Sequence, residues 1–265
     1  MSQITMSELV RQIGGPHITG FFLVLARVSP LFVLAPLFSS KMVPTKVRTI
    51  VAVALAIGLT GIATRGQTIP TDPVAVTGLL VVQLLVGLAF AFALGAVFAA
   101  VEAAGALIDI VAGFSYGQLI DPVDGNQGGV MSGLYGLVGL ALFIAIGGDA
   151  WTLRGLARTF SLVPLTRAPQ LGSLVGGAVT AFGTILLAAL EIAAPALLAL
   201  LITDVAFGMV SRVVPQVNIF AVGFPMKIGV ALLVVGVALP FLGGYLSGLI
   251  SGAVGTALHS LNAAA

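Results

Sequence analysis

From Ile228 to Ala265 the chain carries no aspartate, glutamate, lysine or arginine, and the stretches 73–101, 125–148 and 168–190 are equally free of charge. About 20 consecutive apolar residues cross a bilayer as a helix. Strands fit these runs poorly, because they are continuous rather than alternating and rich in Ala and Leu. With 59% hydrophobic residues, 8% charged residues and a mean hydropathy of +1.19, the chain has too little polar surface to clothe a soluble core. The expected fold class is an all-α integral membrane protein. The absence of cysteine excludes disulfides and thiolate metal sites. A net charge of +2 gives no reason to expect nucleic acid. Glu8 and Arg11 precede the first apolar run and Gly14-Gly15-Pro16 interrupts it, so the N-terminus reads as uncleaved.

Apolar runs and their polar punctuation predict about six helical segments, near 17–38, 49–64, 74–113, 130–147, 171–203 and 228–258. Their lengths make 74–113 and 171–203 kinked long helices or helical hairpins. Pro30, Pro36, Pro195 and Pro240 are expected to break their segments, since proline removes a helix hydrogen bond. Freed backbone groups at membrane depth need protein or water, so packing against partner helices is expected. The segment 149–163 is amphipathic, with Leu153, Leu156 and Phe160 opposite Arg154 and Arg158. Six simple spans place Lys41, Lys46, Arg48, Arg212 and Lys227 on one side and Arg11, Arg65, Arg154, Arg158 and Arg167 on the other. That tie defeats an orientation by positive charge.

The stretch GFSYGQLIDPVDGNQGGV, residues 113–130, is the polar exception. Its G-x-S-x-G pattern around Ser115 follows a helical run, whereas a hydrolase elbow follows a strand and needs a histidine base. The two histidines, His17 and His259, lie near the chain's ends. Asp121, Asp124 and Asn126 offer oxygens, but a calcium loop needs a bidentate glutamate at position twelve, which here is Ser132. Neither an enzyme, a cofactor nor a metal site is expected.

Charges inside apolar segments are costly and face a bundle interior or a wet path. Glu102, Ala106, Asp109 and Gly113 form one helix stripe, with Gly105 beside it as a close-approach site. Both carboxylates either line a polar conduit or lie outside the hydrocarbon paired with arginines. Arg27 is expected to meet a carboxylate or carbonyl of a neighbouring helix. Glu191, four residues before Pro195, satisfies the kink or an arginine, or relays protons.

Four stretches resemble one family in order along the chain: ARVSPLFVLAPLFSSKMVPTKVR (26–48), GALIDIVAGFSYGQLIDPVDGNQGGV (105–130), GDAWTLRGLARTFSLVPL (148–165) and SRVVPQVNIFAVGFPMKI (211–228). They are similar to the FliR/SctT family of type III secretion export-gate proteins, flagellar FliR and its injectisome relatives. The most specific match is Pro215, Gln216, Asn218 and Phe220 followed by Gly223, Phe224 and Pro225. The resemblance implies one copy of this chain in a hetero-oligomeric helical complex with FliP- and FliQ-type subunits. It implies contact with FlhB- and FlhA-type subunits, unfolded exported proteins as cargo, and the flagellar basal body in the bacterial inner membrane. The fold it implies is a single export-gate domain of helical hairpins, about 1–165 FliP-like and about 166–265 FliQ-like. Such an assembly is raised largely out of the bilayer plane, which accounts for the tied charges.

The same resemblance makes the loop 114–129 a pore plug. Phe114, Tyr116, Leu119 and Ile120 would seal by excluding water, with Ser115 among them and Met131 just beyond. Gly125, Gly128 and Gly129 would keep the far limb mobile. Asp121 before Pro122 and Asp124 before Gly125 are turn chemistry. In the 211–228 signature, Pro215, Gly223 and Pro225 are expected to forbid a continuous helix, with Gln216 and Asn218 satisfying exposed backbone groups. Alternatives are an injectisome rather than a flagellar gate, and a secondary transporter for a small solute using Glu102, Asp109 and Arg27.

Overall fold

A computed structural model describes residues 6–35, 43–114, 129–216 and 218–264. All regular structure among them is helical: α1 (Met6–Val28), α2 (Leu31–Leu34), α3 (Thr45–Ala63), α4 (Pro73–Ala112), α5 (Val130–Ala145), α6 (Gly148–Leu162), α7 (Leu171–Val213) and α8 (Ile219–Ala264). Among the described residues five stretches are long and apolar enough to cross a membrane, and α5 with α6 makes a sixth if the pair counts as one broken span. The protein is therefore a multi-pass, all-α membrane protein.

Local chemistry sets the boundaries. Proline opens α4 at Pro73, where a missing N–H is harmless, and Asp72 accepts the Ala75 N–H at 3.0 Å as its cap. Gly113 closes α4 with φ +90° and Gly147 separates α5 from α6 with φ +71°. These left-handed turns are cheap only for glycine. Pro30 does break the first segment, at Ser29–Pro30 between α1 and α2. Pro195, Pro225 and Pro240 do not: each lies within a continuous helix. Each proline deprives one carbonyl of its donor, and the rest of a helix longer than 40 residues holds the ladder. Of the two forms expected for 74–113 and 171–203, a kinked long helix or a hairpin, each is one long helix, α4 and α7.

The chain forms two compact units that interleave in sequence. The first comprises residues 1–95, 149–181 and 250–265. Its core joins Leu23, Val24 and Leu31 to Phe90, Leu94, Leu156, Phe160 and Leu165. In α6, Leu156 and Phe160 are buried, Leu153 is half-buried, and Arg154 and Arg158 are exposed, the amphipathic pattern expected for 149–163. Between membrane helices, close contact rests on small residues that let backbones approach. A methyl group at Gly87 would overlap the carbonyl of Arg27, and one at Gly95 would stand 3.1 Å from the carbonyl of Leu34.

The second unit comprises residues 96–148 and 182–249. Here the end of α4 lies antiparallel to α5. Gly105 abuts the backbone of Met131 and Ser132, Glu102 meets Gly136, Val101 meets Gly139, and Phe98 packs edge-on to Phe143 with ring centroids 5.2 Å apart. Helices α7 and α8 are joined by residues 214–218 and run antiparallel in both units. In the first, Ser173 reaches Ala263 and Gly177 abuts Ser260; in the second, Glu191 meets Tyr245 and Asp204 meets Lys227. Within the second unit, which holds the 214–218 turn, the pair is a helical hairpin.

Candidate functional site

The polar stretch 113–130 is entered from the end of α4 and left at the start of α5, and one side chain ties those two ends together. Asp109 is buried near the C-terminus of α4. Its Oδ1 accepts the backbone N–H of Met131 at 2.9 Å and its Oδ2 that of Ser132 at 2.9 Å. These are orphan donors in the first turn of α5, whose own cap position, Gly129, offers no side chain. The carboxylate also sits at the positive end of the α5 dipole. A cap of this kind normally comes from the adjacent residue; here it comes from the helix before the loop, 22 residues away.

Two glycines make the arrangement possible. A methyl group at Gly129 would overlap the Asp109 carboxylate, and one at Gly105 would crowd the Met131 carbonyl and the Ser132 Cα. Met131 is fully buried and Phe114 half-buried. Of the residues expected to form the plug, Phe114, Gly129 and Met131 are thus placed, the last two against Asp109. Ser115, Tyr116, Leu119, Ile120, Asp121, Pro122, Gly125 and Gly128 lie outside the described residues.

Arg27 occupies a second polar site, in the first unit. It is fully buried, with Nε donating to Gln83 Oε1 at 2.7 Å and Nη1 to the Thr159 carbonyl at 2.9 Å, while Nη2 also donates to Gln83 Oε1. Its Cζ stands 4.5 Å from the centre of the Phe160 ring, a cation–π arrangement. Gln83 is held in turn by donating from Nε2 to the Leu165 carbonyl at 2.9 Å. The expected carbonyl partner is present. Gln83 was not anticipated, although it is the one amide in the charge-free run 73–101. With Gln83 on α4, and Thr159 and Phe160 on α6, Arg27 pins α1 to both helices.

The other intramembrane carboxylates have separate partners in the second unit. Glu102 is exposed, its carboxyl beside Gly136. Glu191 is exposed and accepts the hydroxyl hydrogen of Tyr245, an unanticipated contact between α7 and α8. Among the described residues, no three His, Cys, Asp or Glu converge as metal ligands would.

The 211–228 signature differs from expectation. Helix α7 runs to Val213 and α8 begins at Ile219, so only 214–218 is non-helical. Pro215 and Gln216 are exposed in this turn. Asn218 caps α8, its Oδ1 accepting the Ala221 N–H at 3.2 Å. Phe220, Gly223, Phe224 and Pro225 lie within α8, Phe224 and Pro225 exposed and Gly223 buried. Gly223 and Pro225 do not forbid a helix there: Pro225, in the second turn, removes one N–H and leaves the backbone angles helical.

Residues 18–253 match the family model described as Bacterial export proteins, family 1. The chain is 29% identical over 225 residues to the flagellar biosynthetic protein FliR of Pectobacterium carotovorum subsp. carotovorum, covering 85% of this chain and 86% of that one. It is 30% identical over 214 residues to the FliR protein of Bacillus subtilis (strain 168), covering 80% and 82%. The surface presentation of antigens protein SpaR of Shigella flexneri is 26% identical over 214 residues, again covering 80% and 82%.

Proposed function

The chain belongs to the bacterial export proteins of family 1, and on that premise we propose that it is a subunit of a type III protein export gate. With FliP- and FliQ-type subunits it forms a helical pore through which unfolded flagellar subunits cross the inner membrane. The first 165 residues or so form its FliP-like part and the remainder its FliQ-like part, the α7–α8 hairpin. FlhB- and FlhA-type subunits adjoin it in the basal body. The FliR relatives at 29% and 30% identity carry the flagellar reading, and SpaR relatives at 26% and 28% make the injectisome the second reading.

Within that gate, residues 114–129 plug the closed pore. The observation that supports this reading is the pair of hydrogen bonds that Asp109 accepts from the first turn of α5. A barrier that must stop ions and then yield to an unfolded chain needs fixed hinges and a loop that carries little packed core. Asp109 fixes the two ends, α4 and α5, between which the loop runs.

The test is deletion of residues 115–128 in cells making the whole complex. The FliP- and FliQ-type subunits should still co-purify, while the membrane becomes conductive to small ions. Unchanged conductance with intact assembly would overturn the plug. Failure of the unaltered chain to co-purify with those subunits would overturn the gate assignment itself.

A further inference from the structure

Glu191 stands 20 residues from the start of α7 and 22 from its end. At about 1.5 Å per residue it is roughly 30 Å from either terminus, in the middle of a helix apolar enough to span a bilayer. A carboxylate so far along an apolar helix, beside the exposed Leu187 and Leu190, is retained only with a partner or a wet path. Within this chain its partner is the Tyr245 hydroxyl, a neutral donor, and no lysine or arginine among the described residues reaches it.

Three further features surround the same carboxylate. Glu191 and Tyr245 line a cavity of about 180 Å³ together with Tyr135, Pro195 and Phe241. Pro195 has no N–H, so the backbone carbonyl of Glu191, four residues earlier, loses its helix donor. Glu191 thus offers a carboxylate with one neutral donor and a backbone carbonyl without its helix donor. Its wall carries three aromatic rings, which favour a cation over an anion or a neutral polar group. Phe241, at 77% exposure, marks the cavity as open to the outside of this chain.

We propose that this cavity receives the lysine or arginine side chain of a helix from a neighbouring subunit, forming an intersubunit ion pair with Glu191. This rests on the chain's assembly with helical partners as proposed above. A basic side chain on a long stem fits this site better than a free metal cation. It supplies several N–H donors for these oxygens, apolar methylenes for the apolar walls, and charge for the aromatic faces.

The experiment places a benzophenone-bearing amino acid at Phe241 in the full complex, in chains with Glu191 unaltered, Glu191→Gln or Glu191→Lys. Cross-linked peptides are identified by mass spectrometry. The unaltered chain should yield an adduct with an apolar segment of a different subunit that contains a lysine or arginine. Adduct yield should fall about tenfold in Glu191→Gln, the scale of losing one buried charge pair, and disappear in Glu191→Lys, with equal amounts of chain in the membrane fraction. Changing the identified basic residue to glutamate should restore the adduct in Glu191→Lys. Adducts only with lipid, with this chain itself, or with a segment lacking a basic residue would overturn the proposal, as would an undiminished yield in Glu191→Lys. Co-purification of the unaltered chain with its partners reads the gate assignment separately.

Discussion

Arg27 donates from Nε to Gln83 Oε1 across 2.7 Å, in a place where both side chains are fully removed from solvent. A buried cation held by a neutral amide, a carbonyl and a ring has no counter-charge in that set. Its stability depends on every one of those contacts being kept.

That dependence predicts an asymmetry between the partners. Gln83→Leu leaves the guanidinium buried with the Thr159 carbonyl and Phe160 alone, and should cost about 3 kcal/mol, the upper range for losing a hydrogen bond to a charged group. Arg27→Met removes the charge together with its demands and should cost less, about 1–2 kcal/mol, for the orphaned amide and carbonyl. Gln83→Glu supplies a counter-charge and should be the best tolerated of the three. Thermal denaturation of the detergent-purified complex checks the order; equal losses for Gln83→Leu and Arg27→Met would contradict it.

Close approach of α4 to α1 predicts a second contrast. A methyl at Gly87 would overlap the Arg27 carbonyl, whereas one at Gly78 meets nothing within 4 Å. Gly87→Ala must push two backbones apart and should destabilise by about 1–3 kcal/mol. Gly78→Ala should be neutral or gain up to about 1 kcal/mol from helix propensity. The same melting measurement distinguishes them.

Much of this architecture was legible from the chain itself, and its misses share a cause. Three of the six apolar runs, 49–64, 74–113 and 130–147, locate their helices to within four residues at both ends. The ends of α7 and α8 extend further than expected because Asp204, Arg212, Pro225 and Lys227 read as connector. An α-helix satisfies its backbone hydrogen bonds internally, so it can continue past the apolar stretch that announces it. Side-chain pairs across helices were less visible: Gln83 was hidden by the apolarity around it, and the Glu191–Tyr245 contact spans 54 residues. Asp109 was recognised as costly to bury, but its partners lie on the next helix, beyond the reach of a periodicity argument.

The ion pair between Lys227 and Asp204, 2.7 Å apart near the α7–α8 turn, predicts a small effect. Asp204 is about half exposed, at 51%, and exposed pairs contribute about 0–1 kcal/mol. Asp204→Asn and Lys227→Met should each leave thermal stability nearly unchanged, and their double-mutant cycle should show a coupling below about 1 kcal/mol. A larger coupling would mean that the hairpin turn is buried by a partner in the assembly.

Asp109 carries the most consequential prediction. Asp109→Ala removes both acceptors from the Met131 and Ser132 N–H groups, and loss of such a cap costs about 1–2 kcal/mol. If the cap holds the neck of the 114–129 loop closed, that loss corresponds to a roughly 5- to 30-fold larger open population. Ion conductance of membranes containing the complex should rise on that scale. Asp109→Asn keeps one carbonyl oxygen and should leak less than Asp109→Ala. Gly129→Ala, which drives a methyl into an intact carboxylate, should leak although no acceptor has been removed, and Gly133→Ala, with open space around it, should not. Conductance equal to the unaltered complex in both Asp109→Ala and Gly129→Ala would show that the neck contributes nothing to the seal, and the barrier would then have to reside elsewhere in the assembly.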